Sequence, residues 1–295
     1  MRGARPEREL ERAIQDGGVV RPGERVLIAC SGGPDSVALA AAMHAIAQPG
    51  QSDARLGYVN HGLRPSAWQD ECVALQIAAQ LEPPIDIVSL DAGGQSEDRL
   101  RTARYDALVA IATRHGCGAI ATAHHAEDQS ETVLLALLRG AGPEGLRGMR
   151  ARRRLAPSVD LIRPLLGIAS ERLREYCHVR ALPYAVDPSN AQTALRRNAV
   201  REALAALRPL FPGLDAAVAR AAGVIGEEGD GTRRAALRRT VREELERAVE
   251  LRDIDFVHVE AAVRALEEGR TGTFHMKPGV ALRIEGGVVR GIIPE

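Results

Sequence analysis

Ser31, Gly32, Gly33, Asp35 and Ser36 stand in the stretch SGGPDS, directly after the apolar run RVLIAC and directly before VALAAAM. Glycines after a strand let the backbone turn sharply and present its N–H groups to a ligand. A helix that follows adds the positive end of its dipole. Together these parts make a cradle for phosphate. Neither GxxxxGK[ST] nor GxGxxG is present, so the loop follows neither of those two designs. Asp35 is the informative residue. A carboxylate beside polyphosphate is repelled unless a cation bridges the two, which implies Mg2+. In a plainer reading, Ser31 and Asp35 only cap the helix.

A second set lies in TAHHAEDQSET at 122–132. Asp128 and Glu131 are three apart at a helix start and share one face. Val133, Leu134, Leu137 and Leu138 are then expected to face the core. Two acids on one face suit a cationic ligand, and they equally suit the positive end of the helix dipole. His124 and His125 read as polar groups lining a site. Adjacent side chains point apart, and no cysteine cluster accompanies them as metal ligands. His61 and Arg64 end a second strand, where a ligand can be met, although Arg64 also suits a surface turn. Tyr105 reads as core packing. RGMRARRR at 147–154 is either a solvated loop or a phosphate-binding loop. Lys277 is the only lysine, so arginine is the general cation of this chain and its runs carry less information than usual.

These residues need a frame to position them. RVLIAC, ARLGYVNHG, PIDIVSL and CGAIATA read as strands. Helices are expected from Asp35 to about Gln48, Ser66 to about Leu81, Ser96 to about His115 and Ala126 to Arg139. This alternation predicts an α/β fold with a doubly wound parallel sheet. Ligands gather at the carboxyl ends of such strands. The polar clusters at 31–36, 60–64, 91–105 and 124–131 all fall there. Further on, LIRPLLGI reads as a short strand or extended segment. SERLREYCHVRAL reads as an amphipathic helix with Ser170 as N-cap, and YAVDPSN as a turn. RPLFPG at 208–213 breaks the pattern. It places a boundary between residues 1–210 and a second, smaller, mainly helical domain at 211–295. The end, TFHMKPGVALRIEGGVVRGII, reads as a terminal hairpin.

Composition sets the outer bounds. Hydrophobic residues make up 45% and charged residues 26%, ordinary for a globular protein. The apolar runs are too short to span a bilayer. MRGARPERELERAIQDGG has no apolar signal core, so a cytoplasmic location is expected. Net charge is zero by formal count, which disfavours an indiscriminate polyanion binder. Cys30, Cys72, Cys117 and Cys177 form no CxxC motif and are expected to be reduced, mostly buried thiols.

SGGPDS resembles the SGGxDS signature of the PP-loop ATP pyrophosphatases. That resemblance implies a PP-loop, adenine nucleotide alpha hydrolase-like fold that cleaves ATP between the α- and β-phosphates and transfers AMP to an oxygen. VNHGLRPSAWQDE at 59–71, RLRTARYDAL at 99–108, TAHHAEDQSETVLLALLRGAGPEGLRGM at 122–149, IRPLLGI at 162–168 and YAVDPSNAQTALRRNAVR at 184–201 occur in this order. Together they resemble the tRNA-isoleucine lysidine synthetase family, over about residues 25 to 205. The tail past 213 matches only in general character. Its shortness is similar to the compact members that lack a further C-terminal domain.

The resemblance implies ATP, Mg2+, free L-lysine and an isoleucine tRNA with a CAU anticodon. It implies ATP binding by Ser31, Gly32, Gly33, Asp35, Ser36, Asn60 and His61, with Mg2+ reached indirectly through Asp35. Lysine falls to Asp128 and Glu131, with Arg104 in the same site, and one acid can also act as base. Asp35, Arg104, Asp128 and Glu131 form the implied catalytic set. Candidates for tRNA contact are Arg64, Arg152, Arg153, Arg154, Arg197 and Asn198, and the family pattern adds Asp187. Two other readings stand beside this one. A tRNA thiolase of the same fold commonly uses paired cysteines or an iron–sulfur cluster, and this chain lacks CxxC. A nucleotide-binding module without turnover has no need of a second acidic pocket.

Overall fold

Val26–Ala29 (β1) is buried on both faces because helices cover both sides of the sheet to which it belongs. The computed structural model describes residues 6–47, 54–60, 67–90, 97–185, 195–229, 231–246 and 256–294. The chain divides into two units, Met1–Ala221 and Ala222–Glu295.

The first unit carries a six-stranded sheet. It comprises β1, β2 (Ala54–Asn60), β3 (Ile85–Ser89), β4 (Ala119–Ala121), β5 (Arg152–Ala156) and β6 (Val159–Ile162), in the order β3-β2-β1-β4-β6-β5. All pairs are parallel except β5 with β6. α1 (Pro6–Asp16), α2 (Pro34–Ile46), α3 (Ala67–Leu81) and α7 (Ser170–Val179) build the core on one face. α4 (Glu97–Arg114) covers the other through Tyr105, Leu108 and Ile111, packed on Leu27, Ile120 and Leu161. The sheet is therefore doubly wound, as expected. α2 is buried continuously from Ser36 to Met43. Its alanines let neighbours approach from every side, so this helix has no solvated face.

Four expectations are corrected. The 147–154 segment is not a loop throughout, since Arg152–Ala156 forms the edge strand. Side chains alternate across it. Arg152 binds Asp160 at 2.8 Å, the Val19 carbonyl at 3.0 Å and Glu24, while Arg154 lies 3.1 Å from Asp160. Those ion pairs hold an arginine run in a strand. Second, the N-cap of α7 is Ala169, and Ser170 is the first helical residue. Third, α5 (Ala126–Leu138) buries Ala126, Gln129, Ser130 and Glu131, whereas Leu137 and Leu138 are exposed. The short α6 (Pro143–Leu146) and α8 (Leu195–Leu207) pack against α5, so its polar side is the covered one. Fourth, the end of the chain is a three-stranded antiparallel sheet, not one hairpin. It comprises β7 (Gly272–Lys277), β8 (Val280–Glu285) and β9 (Val288–Pro294), with Gly286 and Gly287 making its second turn.

The second unit packs this sheet on α10 (Arg233–Glu246) and α11 (Phe256–Glu267), around Val241, Leu245, Val263, Met276, Leu282 and Ile284. α9 (Leu214–Gly229) leads into it. Arg238, 2% exposed, is paired there with Glu260 and Glu227. No helix among the described residues is long and apolar enough to cross a membrane.

Candidate active site

The loop after β1 is shaped by Ser36. Its buried Oγ accepts from the Ser31 N–H at 3.1 Å and the Ser31 hydroxyl at 3.2 Å, and donates to the Gly33 carbonyl at 2.9 Å. Gly32 has φ +81°, and a Cβ there would lie 2.7 Å from the Asp70 carbonyl oxygen of α3. Both the turn and the close approach of α3 require glycine. The N-cap of α2 is Gly33, with no side-chain cap bond. Ser31 and Asp35 are thus not caps.

Asp35 enters α2 at its first turn, and its Oδ1 is buried without a hydrogen-bond partner. Its carboxyl is raised by burial. His125 and Arg174 oppose that shift, while Asp128 and Glu127 reinforce it. Asn60 ends β2 and donates to Glu71 at 3.4 Å. His61, Arg64 and Asp187 lie outside the described residues, as does the DPSN part of the expected turn.

His125 is the centre of the acidic side. Its Nδ1 lies 2.9 Å from Glu127, and its Nε2 lies 3.7 Å from Asp35 and 3.5 Å from Asp128. Asp128 also accepts the His125 backbone N–H at 3.1 Å, half of a capping box. Burial lowers the His125 pKa, yet Glu127, Asp128 and Asp35 raise it to a net value above normal. Glu127 in turn accepts the Ser170 N–H at 3.0 Å and its hydroxyl at 2.9 Å. Burial raises Glu127, but His125 and Ser170 outweigh it and bring the carboxyl to about 2.

Glu131, 3% exposed, points to the same region from one turn further along α5. Arg197 reaches its Oε2 at 2.9 Å, and Arg201 reaches its Oε1 at 2.8 Å. Arg197 also lies 3.9 Å from Asp128. The two acids expected to share a face therefore do so, bridged by a guanidinium of α8. Asn198 sits half-buried in the same helix.

His124 faces the other way. Its Nδ1 lies 2.9 Å from the Thr122 hydroxyl. Burial brings its pKa down to about 3, helped by the charges of Arg163, Arg104, Arg101 and Arg197. Arg104 lies 5.3 Å from the centre of the Tyr105 ring, and Arg101 lies 5.9 Å from it. Among the described residues Arg104 makes no ion pair with Asp128 or Glu131. The end of β4 thus separates an acidic half around His125 from a basic half around His124. Sequence reasoning did not single out Glu127, Arg101 or Arg163. Their signal was only their place inside HHAEDQSET, RLRTARY and IRPLLGI.

The fold and the loop define an ATP-binding PP-loop domain, and a family model described as "PP-loop domain" matches residues 4–207. The tRNA(Ile)-lysidine synthase of Salinispora tropica is 43% identical, over 75% of this chain and 68% of its own length. That of Symbiobacterium thermophilum is 37% identical, over 66% of this chain and 42% of its own. That of Alkalilimnicola ehrlichii is 41% identical, over 74% of this chain and 49% of its own. This chain therefore spans about half the length of the latter two relatives. It belongs to the tRNA(Ile)-lysidine synthase family. In solved structures, the U34-tRNA thiolase NcsA of Methanococcus maripaludis with its [4Fe-4S] cluster has a similar fold. The TM-score is 0.64 at 18% identity, covering 73% of this chain and 77% of that one.

Proposed function

We propose that this chain joins lysine to the wobble cytidine of an isoleucine tRNA with a CAU anticodon. The C2 oxygen of the base attacks the α-phosphorus of ATP, and pyrophosphate leaves. The ε-amine of lysine then attacks C2. The C2–oxygen bond breaks, AMP departs, and the amine loses its protons. A base splayed out of a single-stranded loop is open to both steps.

The observation that carries this reading is the pair Asp128 and Glu131 beside a nucleotide loop. Their present partner, Arg197, is itself a cation on a long stem, the kind of group that a lysine side chain would replace. Carboxylates there hold the ammonium form and raise its pKa. A carboxylate must then take the proton before attack. Asp128 suits that step, because it retains an oxygen toward Arg197 while its other oxygen caps α5.

Asp35 fits Mg2+, since its buried Oδ1 lacks a hydrogen-bond donor. Among the described residues no set of three His, Cys, Asp or Glu side chains is placed to ligate a metal. A cation at Asp35 would draw its other ligands from substrate oxygens and water, as Mg2+ commonly does. When bound, it neutralises polyphosphate charge. The Ser31–Ser36 loop holds the phosphates, and Ser36 fixes the loop's shape.

The test is mass spectrometry of nucleosides from an isoleucine tRNA transcript incubated with the protein, ATP, Mg2+ and lysine. The expected product is a cytidine carrying lysine, with one AMP released per modification. ATP consumed without any change in the nucleosides overturns the reading.

A further inference from the structure

We propose that Arg174 of α7 is a further catalytic residue of the adenylation step, a guanidinium that hydrogen-bonds the β- and γ-phosphates of ATP above the Ser31–Ser36 loop and stabilises the pyrophosphate as it leaves. The spacing along α7 puts it there. Ser170, Arg174 and Cys177 stand at i, i+4 and i+7, the positions of one helix face. At one end of that face Ser170 donates to Glu127, the partner of His125. At the other end the Cys177 thiol donates to the Pro34 carbonyl at 3.4 Å, next in the chain to Asp35. Cys177, raised by burial, also feels the Asp35 charge. Arg174 stands between these two contacts. The opposite flank of α7 is taken up by α1. There Arg172 pairs with Glu9, and Tyr176 and Arg180 both bond to Glu11 at 3.2 Å.

Among the described residues Arg174 makes no ion pair and no hydrogen bond, whereas Arg172 and Arg180 are both paired. Its side chain is exposed. Burial raises the Asp35 carboxyl, and His125 and Arg174 are the two cations that oppose it. His125 is already bonded to Glu127. SGGPDS itself contains no lysine or arginine. The loop therefore offers a polyphosphate backbone N–H groups alone, while Asp35, Glu127 and Asp128 repel it. A side-chain cation has to come from another element, and Arg174 is free to supply it. A guanidinium fork matches phosphate oxygens bidentately. This role rests on the proposed reaction for the step that it assists. In that step the C2 oxygen bonds to the α-phosphorus, the bond from that phosphorus to its bridging oxygen breaks, and the electron pair stays on the β-phosphate. Arg174 donates hydrogen bonds and transfers no proton. Charge grows on the pyrophosphate as the bond breaks, so a donor aimed at its oxygens holds the transition state more tightly than ATP.

The experiment titrates inorganic pyrophosphate with Mg2+ into wild type, Arg174→Gln, Arg174→Lys and Arg172→Gln by calorimetry. It also times pyrophosphate release from ATP at saturating isoleucine tRNA transcript, without lysine. In Arg174→Gln the affinity and the release rate are each expected to fall roughly tenfold or more. Arg174→Lys keeps the charge without the fork and should recover part of both losses. Arg172→Gln, altered on the α1 flank, should match wild type in both. The melting temperature and the KM for lysine should stay unchanged in Arg174→Gln, because the side chain is exposed and unpaired. Equal affinity and equal release rate in Arg174→Gln and wild type overturn the proposal. A lower affinity with an unchanged release rate overturns the catalytic role. So does a raised KM for lysine, or weaker tRNA binding, with pyrophosphate affinity unchanged, which would give the guanidinium to the amino acid or to RNA. Wild type that binds pyrophosphate through Arg174 yet leaves tRNA unmodified would overturn the proposed reaction and leave the phosphate contact standing.

Discussion

His124 and His125 are chain neighbours with opposite titration, and the cause is the charge that each one faces. His124 is buried among arginines and titrates at about 3, so the folded state binds its proton less readily than the unfolded chain does. Its stability contribution is present above the unfolded value of 6.5 and is lost as pH falls toward about 3. His125 is raised by Glu127, Asp128 and Asp35 against its burial. Its contribution is full below 6.5 and is lost as pH rises through the raised value. Glu127, at about 2, is ionised in both states above its unfolded value of 4.5. Between pH 4.5 and 6.5, His124 alone of these three then makes stability fall with acid, by up to about 1.4 kcal/mol per pH unit. Urea unfolding across that range should show a flatter slope for His124→Gln, while His125→Gln should flatten the limb above it. An unaltered acid slope in His124→Gln would place the imidazole in solvent. The two acids should also separate. Asp128→Asn is expected to raise the KM for lysine by roughly tenfold or more, the worth of a charge-assisted bond of about 1.5–3 kcal/mol. Glu131→Gln should do the same and lower the melting temperature too, because Arg197 and Arg201 both lose a buried carboxylate. Lysine steady-state kinetics beside thermal melts distinguish the variants.

Gly32 and Gly33 test the loop at the scale of elements. A residue with a Cβ at Gly32 meets the Asp70 backbone and a positive φ together, so α3 must shift. Gly32→Ala is expected to cost at least about 1–2 kcal/mol from the backbone alone and to abolish nucleotide binding. Gly33 has an ordinary φ of -74°, and a Cβ there would have the Ser31 Oγ, at 3.8 Å, as its nearest neighbour. Gly33→Ala should therefore fold like wild type, and any loss of ATP affinity in calorimetry then reports the phosphate cradle itself. Wild-type affinity in a folded Gly33→Ala would move the phosphates away from that amide. The sheet was legible because parallel strands covered on both faces read as apolar runs ending in glycine or polar clusters. The Arg152–Ala156 strand was not, since three consecutive arginines hide any alternation, and Glu24, which pairs with Arg152 beside Asp160, lies 128 positions away. The periodicity of α5 gave two faces and no sign of which would be covered. Asp128 and Glu131 could be found from spacing. The arginine partners of Glu131, 66 and 70 positions away, could not.

At the scale of the whole molecule, 39 basic and 39 acidic residues leave no net attraction for RNA, so local clusters must supply it. The three arginines of the edge strand do not act alike in this respect. Arg152 and Arg154 share one side of β5 and are drawn to Asp160. Arg153 points to the opposite side, where its charge is felt by Arg163 and where Leu155 packs toward the α4 core. Arg153 thereby extends the basic group formed by Arg101, Arg104 and Arg163. Salt dependence separates the two sides. Each phosphate contact contributes a slope of about 0.7–0.9 in log affinity against log salt. Arg153→Gln should reduce the measured slope by about that amount, equally for cognate and non-cognate tRNA, with little change in stability. Arg152→Gln should leave the slope intact and lower the melting temperature, because Asp160 and Glu24 lose their shared partner. Arg154 is 61% exposed on its side chain, so its pair with Asp160 is screened. Arg154→Gln should then cost no more than about 1 kcal/mol. Filter-binding titrations of tRNA at several salt concentrations, run beside thermal melts, measure all three. A slope that falls with Arg152→Gln and not with Arg153→Gln would put the RNA on the Asp160 side of the sheet.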